Sequence, residues 1–106
     1  MTARVSIKRG SVYIPADVYA TYFKGIDAAA LLVRDDHLHV LPVHHMAAGG
    51  ALMKIRNAAG DRIVSAPDLF DNYGLEDWTA EHIEARWSAD NAALIISLPQ
   101  SPQLQT

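Results

Sequence analysis

The two halves of this 106-residue chain carry the same order of structural signals. In the first, Arg4-Val5-Ser6-Ile7 and Ser11-Val12-Tyr13-Ile14 flank a basic glycine turn, Lys8-Arg9-Gly10, and Pro15-Ala16-Asp17-Val18-Tyr19 opens a helix. In the second, Leu52-Met53-Lys54-Ile55-Arg56 and Arg62-Ile63-Val64-Ser65 flank a turn at 57–61, and Ala66-Pro67-Asp68-Leu69-Phe70 follows. Each half then closes with two apolar segments around an acidic turn, Asp35-Asp36 and Asp90-Asn91. Short β-branched and aromatic runs separated by turn residues read as hairpins. A repeated unit of this size cannot bury its apolar face alone, so the two must pack on each other. The expected fold is mainly β with short helices, two β-hairpin–helix–β-hairpin units in a single domain over residues 1–98. The pseudo-repeats span 4–43 and 52–98, with a linker at 44–51 and a polar tail at 99–106 that is expected to be disordered.

Local rules sharpen each unit. Proline is tolerated in the first turn of a helix, where its missing N–H has no partner to lose. Val18, Tyr19, Tyr22 and Phe23 then form one apolar stripe, and Lys24-Gly25 stops the helix. A two-residue turn at Asp35-Asp36 pairs Val33 with Leu38 and Leu31 with Val40. Ala28–Ala30 could instead prolong the helix by propensity, and Pro42 suits a strand end. Asp68–Tyr73 is the counterpart helix, with Leu69, Phe70 and Tyr73 repeating the first stripe. In the last hairpin Ile83, Ala85 and Trp87 alternate with His82, Glu84 and Arg86, which sets Trp87 opposite Leu94 and Ile83 opposite Leu98.

Composition narrows the function classes. There is no cysteine, which excludes disulfides, thiolate metal sites and cysteine nucleophiles. No apolar run approaches the roughly 20 residues that cross a bilayer, and the start lacks a signal-like apolar stretch. A cytoplasmic protein without membrane contact is the expectation. The net charge of −3 is unevenly spread. Residues 1–50 hold five Lys/Arg against four Asp/Glu, whereas residues 51–106 hold four against eight. The stretch 68–84 carries six carboxylates and no Lys or Arg, so it is either a solvated face or a contact surface for a protein partner.

The run Lys8-Arg9-Gly10-Ser11-Val12-Tyr13-Ile14-Pro15-Ala16-Asp17-Val18 resembles the opening of swapped-hairpin AbrB-like domains. Lys24-Gly25-Ile26-Asp27, a strand, an acidic turn, a second strand and Pro42 resemble that family's closing half, so the likeness covers residues 4–43. Two units in one chain are similar in outline to the tandem arrangement of MraZ. The second unit departs from the pattern: Pro67 falls one place late relative to Pro15, after Ser65-Ala66, and the expected Ile-Pro is missing. The Asp-x-x-x-Arg signature of MraZ is also missing from Ala16–Thr21. The resemblance implies a swapped-hairpin barrel, a homo-oligomer, and a non-enzymatic regulator or antitoxin-like protein that binds DNA. The residues that match the family's phosphate and base contacts are Arg4, Lys8 and Arg9 in unit one and Lys54, Arg56 and Arg62 in unit two.

Other constellations are weaker. His37, His39, His44 and His45 lie within nine residues, and His37 and His39 share one strand face. Imidazole is a common metal ligand, which makes these candidates for a metal or small-ligand site, though Arg34 opposite His37 opposes a cation. No nucleophile elbow, phosphate-cradling glycine loop or zinc-protease motif occurs, so neither catalysis nor a cofactor is expected. Two readings lead: a DNA-binding regulator using the basic hairpins, and a protein-interaction module using the acidic second half.

Overall fold

Alternating apolar and polar residues build strands whose inner faces must meet, and a closed ring is one way to leave no edge unpaired. The computed structural model describes residues 2–43 and 50–99. The strands are β1 (Thr2–Lys8), β2 (Ser11–Ile14), β3 (Ala28–Arg34), β4 (His37–Val43), β5 (Ala51–Ile55), β6 (Arg62–Ser65), β7 (Thr79–Ser88) and β8 (Ala93–Ser97). They close into an antiparallel barrel in the order β1-β2-β6-β5-β3-β4-β8-β7. Exchanging unit one (β1–β4) for unit two (β5–β8) leaves that order unchanged. The two N-terminal hairpins meet at β2–β6, the two C-terminal hairpins meet at β4–β8, and β1 joins β7 as β5 joins β3.

Two short helical segments cap the hairpins. The first, α1 (Ala16–Val18), passes directly into a π-helical turn, Tyr19–Phe23. Its wider winding suits the observed burial, since Val18 and Phe23, five residues apart, are both buried. The second, α2 (Pro67–Asn72), starts on its proline and buries Phe70. Gly25, in the left-handed region at φ 78°, ends the first segment, and Ala28 begins β3 at once by pairing with Val43 and Leu52. The helical alternative for Ala28–Ala30 is therefore replaced by strand. The inner faces of β1, β2, β4, β6 and β8 supply Val5, Ile7, Val12, Ile14, Leu38, Val40, Val64, Leu94 and Ile96 to one continuous core. Full burial of such a side chain contributes about 1.5–3 kcal/mol.

The registers at the short turns agree with the sequence expectation. Val33 pairs with Leu38, Leu31 with Val40, Arg34 with His37 and Trp87 with Leu94. Arg9-Gly10 and Asp35-Asp36 are all at positive φ, as tight two-residue hairpins require. One expected pair does not form: the β7–β8 ladder ends at Ala85–Ile96, and the Leu98 N–H bonds the Asp36 carbonyl at 3.1 Å instead.

The second N-terminal hairpin carries a longer turn, closed by Arg56 N–H to the Asp61 carbonyl at 2.7 Å. This extra length is why an alignment on Gly10 and Gly60 puts the prolines out of step. Matched on the inward valines Val12 and Val64, which pair across the β2–β6 seam, both prolines follow by three residues. Val18 and Phe70 then also correspond, and both are buried.

The turns and helix starts of the two units are interlocked. Gly10 of unit one sits against Pro67 of unit two, and the Gly10 carbonyl accepts the Ala66 N–H at 2.8 Å. In return Asp61 of unit two accepts the Ala16 N–H of unit one at 2.8 Å. Each hairpin thus braces the helix of the other half. No described helix is long and apolar enough to cross a membrane.

Candidate nucleic-acid interface

The β2–β6 seam fixes where the basic residues can point. Inward positions alternate with outward ones, so Ser6, Tyr13, Ile63 and Lys54 form one outward row across β1-β2-β6-β5. Lys8, Ser11 and Ser65 form the next, stitched by a 2.9 Å bond between the Ser11 and Ser65 hydroxyls. Lys8 and Lys54 thereby flank the seam from its two outer strands, and both are exposed.

Beside Lys8 opens a cleft of about 380 Å³ whose wall includes Tyr13, Arg56, Asp61, Glu81 and His82. The Arg56 guanidinium lies over the Tyr13 ring, 4.8 Å from its centroid. A cation so placed against an aromatic face gains about 0.5–1 kcal/mol at an exposed site and keeps its outer N–H groups available. The Asn57 side-chain amide, then the Ala16 N–H, hold the Asp61 carboxyl below its ordinary range, so Asp61 remains an anion in the cleft wall. The cleft therefore carries both signs, with Glu81 and Asp61 offsetting part of the charge of Lys8 and Arg56.

The six basic candidates do not form one array. Arg9 is exposed in the β1–β2 turn, where its backbone N–H donates to the Trp78 carbonyl at 3.3 Å, directly after Glu76-Asp77. Arg4 donates to the His82 carbonyl at 3.0 Å and stands opposite Glu84. That contact stabilises a β-bulge in which Ser6 alone opposes Glu81 and His82, with the His82 N–H bonded to the Ser6 hydroxyl at 3.1 Å. Arg62 turns inward: its guanidinium stacks on Tyr19 at 4.0 Å and donates to the Met53 carbonyl at 3.1 Å. Its Nε is buried without a partner. Tyr13 was not among the sequence-based candidates for the interface. Its alternation with the buried Val12 and Ile14 was the signal that it faces outward.

All six carboxylates of 68–84 are exposed, and Tyr73 among them is 52 % exposed. Trp78 is partly buried against the core. His37 and His39 share the outward face of β4 beside Arg34, whereas His44 and His45 lie outside the described residues. Among the described residues no group of three or more His, Asp or Glu side chains is placed to hold a metal ion. No known family, curated protein or solved structure matches this chain.

Proposed function

We propose that the protein is a non-enzymatic, swapped-hairpin regulator of AbrB-like type that engages DNA phosphates through the outer face of its paired N-terminal hairpins. The observation that carries this reading is the β2–β6 seam, which sets two basic hairpins side by side with Lys8 and Lys54 exposed on either flank. The strand order, unchanged by exchanging the units, supports the swapped-hairpin description. The contact set is Lys8, Arg9, Lys54 and Arg56. Arg4 and Arg62 act as internal braces. Because one chain supplies both units of the barrel, the fold itself needs no second chain. Homo-oligomerisation is a separate part of the proposal, read by light scattering on the same sample.

Salt-titrated retention of a duplex DNA fragment tests the reading. Four neutralised phosphates give a slope of log K against log salt of about −3.6, or roughly 150-fold weakening from 50 to 200 mM salt. Lys8→Ala/Arg9→Ala should bring the slope to about −1.8 with unchanged stability. Absence of retention at low salt overturns the proposal. The second reading, a protein-interaction module, is favoured by the exposed carboxylates of 68–84 around Tyr73. It calls for retention of a basic protein partner that Asp68→Asn/Asp71→Asn weakens.

A further inference from the structure

Half-way round the barrel from the β2–β6 seam, the β4–β8 seam exposes a different chemistry. Its outward rows run Arg34, His37 and Ser97, then Leu32, His39, Ile95 and Arg86. These rows meet in a cleft of about 370 Å³ lined by Arg34, Asp35, His37, His39, Arg86 and Asn91, with Ile95 in its wall. The side chains come from β3, β4, β7 and the two turns between them, so the fold and not local sequence brings them together. Two guanidiniums and two imidazoles face a single carboxylate there, and Glu84 lies beside His37 and Arg86 in an adjoining hollow of about 160 Å³.

Several features give this cleft a built character. The hydrogen bond of 2.7 Å between His37 Nδ1 and the Asp35 carbonyl requires the proton on Nδ1, and leaves Nε2 turned away from that bond. His39 is only 7 % exposed although it sits on the outward face of the barrel. Its pKa is lowered first by burial and then by the nearby charges of Arg34 and His37. Unlike Arg4 and Arg62, which donate to backbone carbonyls, Arg34 and Arg86 have no such bond among the described residues. The two guanidiniums therefore leave N–H donors open to a shared hollow that holds one carboxylate, Asp35, which suits an anion. A tetrahedral dianion offers acceptors in enough directions for two planar guanidinium forks and an imidazole N–H, which a single planar carboxylate does not.

We propose that this cleft binds a small phosphate-bearing molecule, with Arg34 and Arg86 as the clamp, His39 as a further donor in its charged form, and Asn91 as a neutral contact. The cavity exceeds the needs of a bare phosphate and falls in the size range of small-ligand sites, which fits a phosphate ester with a compact organic part. Binding takes up a proton at His39, because an anion beside it favours the charged form that burial, Arg34 and His37 oppose. Affinity therefore rises as the pH falls, against the opposition of the facing Asp35 and Glu84 and of Asp90 in the β7–β8 turn. This site is independent of the DNA-facing seam.

The test is a titration of the full chain, followed by 1H–15N NMR, with inorganic phosphate, with sulfate and with a duplex DNA fragment. Phosphate and sulfate should shift the signals of Arg34, His37, His39, Arg86 and Asn91 saturably, in the millimolar range or below. Sulfate stays dianionic across the range, so a gain in sulfate affinity from pH 8 to pH 6 that His39→Gln removes reports His39. Arg34→Gln and Arg86→Gln should each weaken binding about tenfold without moving the urea midpoint, and His39→Gln should flatten the pH dependence. No saturable shift at 20 mM phosphate overturns the proposal. So does a response centred on Lys8 and Arg56, or an effect of Arg34→Gln on DNA retention in place of phosphate binding.

Discussion

Replacing Gly10 by alanine tests whether the two units brace each other. Gly10 stands at φ +81°, and a Cβ there would lie 2.9 Å from the Pro67 Cα of the other unit. Gly25 is the matched control, with φ +78° and nothing within 4 Å of the added carbon. An L-residue in the left-handed region costs roughly 1–2 kcal/mol, partly offset by about 0.4–1 kcal/mol of lost unfolded-state freedom. Both variants share that balance. Only Gly10→Ala also drives a methyl into backbone, a strain of about 1–3 kcal/mol that also loads the Ala66 N–H bond to the Gly10 carbonyl. Urea unfolding followed by tryptophan fluorescence reads the difference. With a slope of about 1.5 kcal/mol/M, the Gly10→Ala midpoint should fall about 1 M further than that of Gly25→Ala. Midpoints that differ by less than the equivalent of about 0.5 kcal/mol would refute the interlocking of turn and helix start.

Asp61→Asn should destabilise the chain at neutral pH and leave it little changed in acid. The folded-state pKa of Asp61 lies below its ordinary value of 3.8, so its stabilisation is present above that value and lost as the pH falls through the lowered one. Unfolding midpoints of the two proteins should accordingly converge as the pH falls below 3.8, and a constant gap would contradict the assignment. Arg62→Ala removes the stack on Tyr19 and the bond to the Met53 carbonyl. It should lower stability by about 1.5–3 kcal/mol while the salt slope of DNA retention stays as in the unmodified chain. A shallower slope at unchanged stability would return Arg62 to the DNA contact set.

Features governed by neighbours in the chain were legible in the sequence. Two-residue turns fix register by themselves, which is why the Val33–Leu38 and Leu31–Val40 pairs follow from Asp35-Asp36 alone. The helix starts directly after Pro15 and at Pro67 follow from proline's fit to a helix entry, and the doubled order follows from the need of each unit for a partner face. What was not legible depends on contacts between distant segments. The ring order needs β1 to find β7, with Val5 opposite Ile83, and no local rule specifies that pair. Arg62 reads as a surface charge until Tyr19 and the Met53 carbonyl are brought over it. Arg34 was read only as opposing a cation beside His37 and Arg86 only as a strand residue, because the two are far apart in sequence and share a cleft only where β4 and β8 join the C-terminal hairpins.

The reciprocal support of turn and helix start has a consequence for assembly. Gly10 completes the start of α2, and Asp61 completes the start of the first helical segment, so neither half is finished without the other. Nothing in those contacts records whether the two halves belong to one chain. Refolding at high protein concentration can therefore join the first half of one molecule to the second half of another, conserving every contact at twice the mass. Tandem linkage favours the closed form by keeping the complementary half at high effective concentration, and its length and stiffness set the balance between monomer and exchanged dimer.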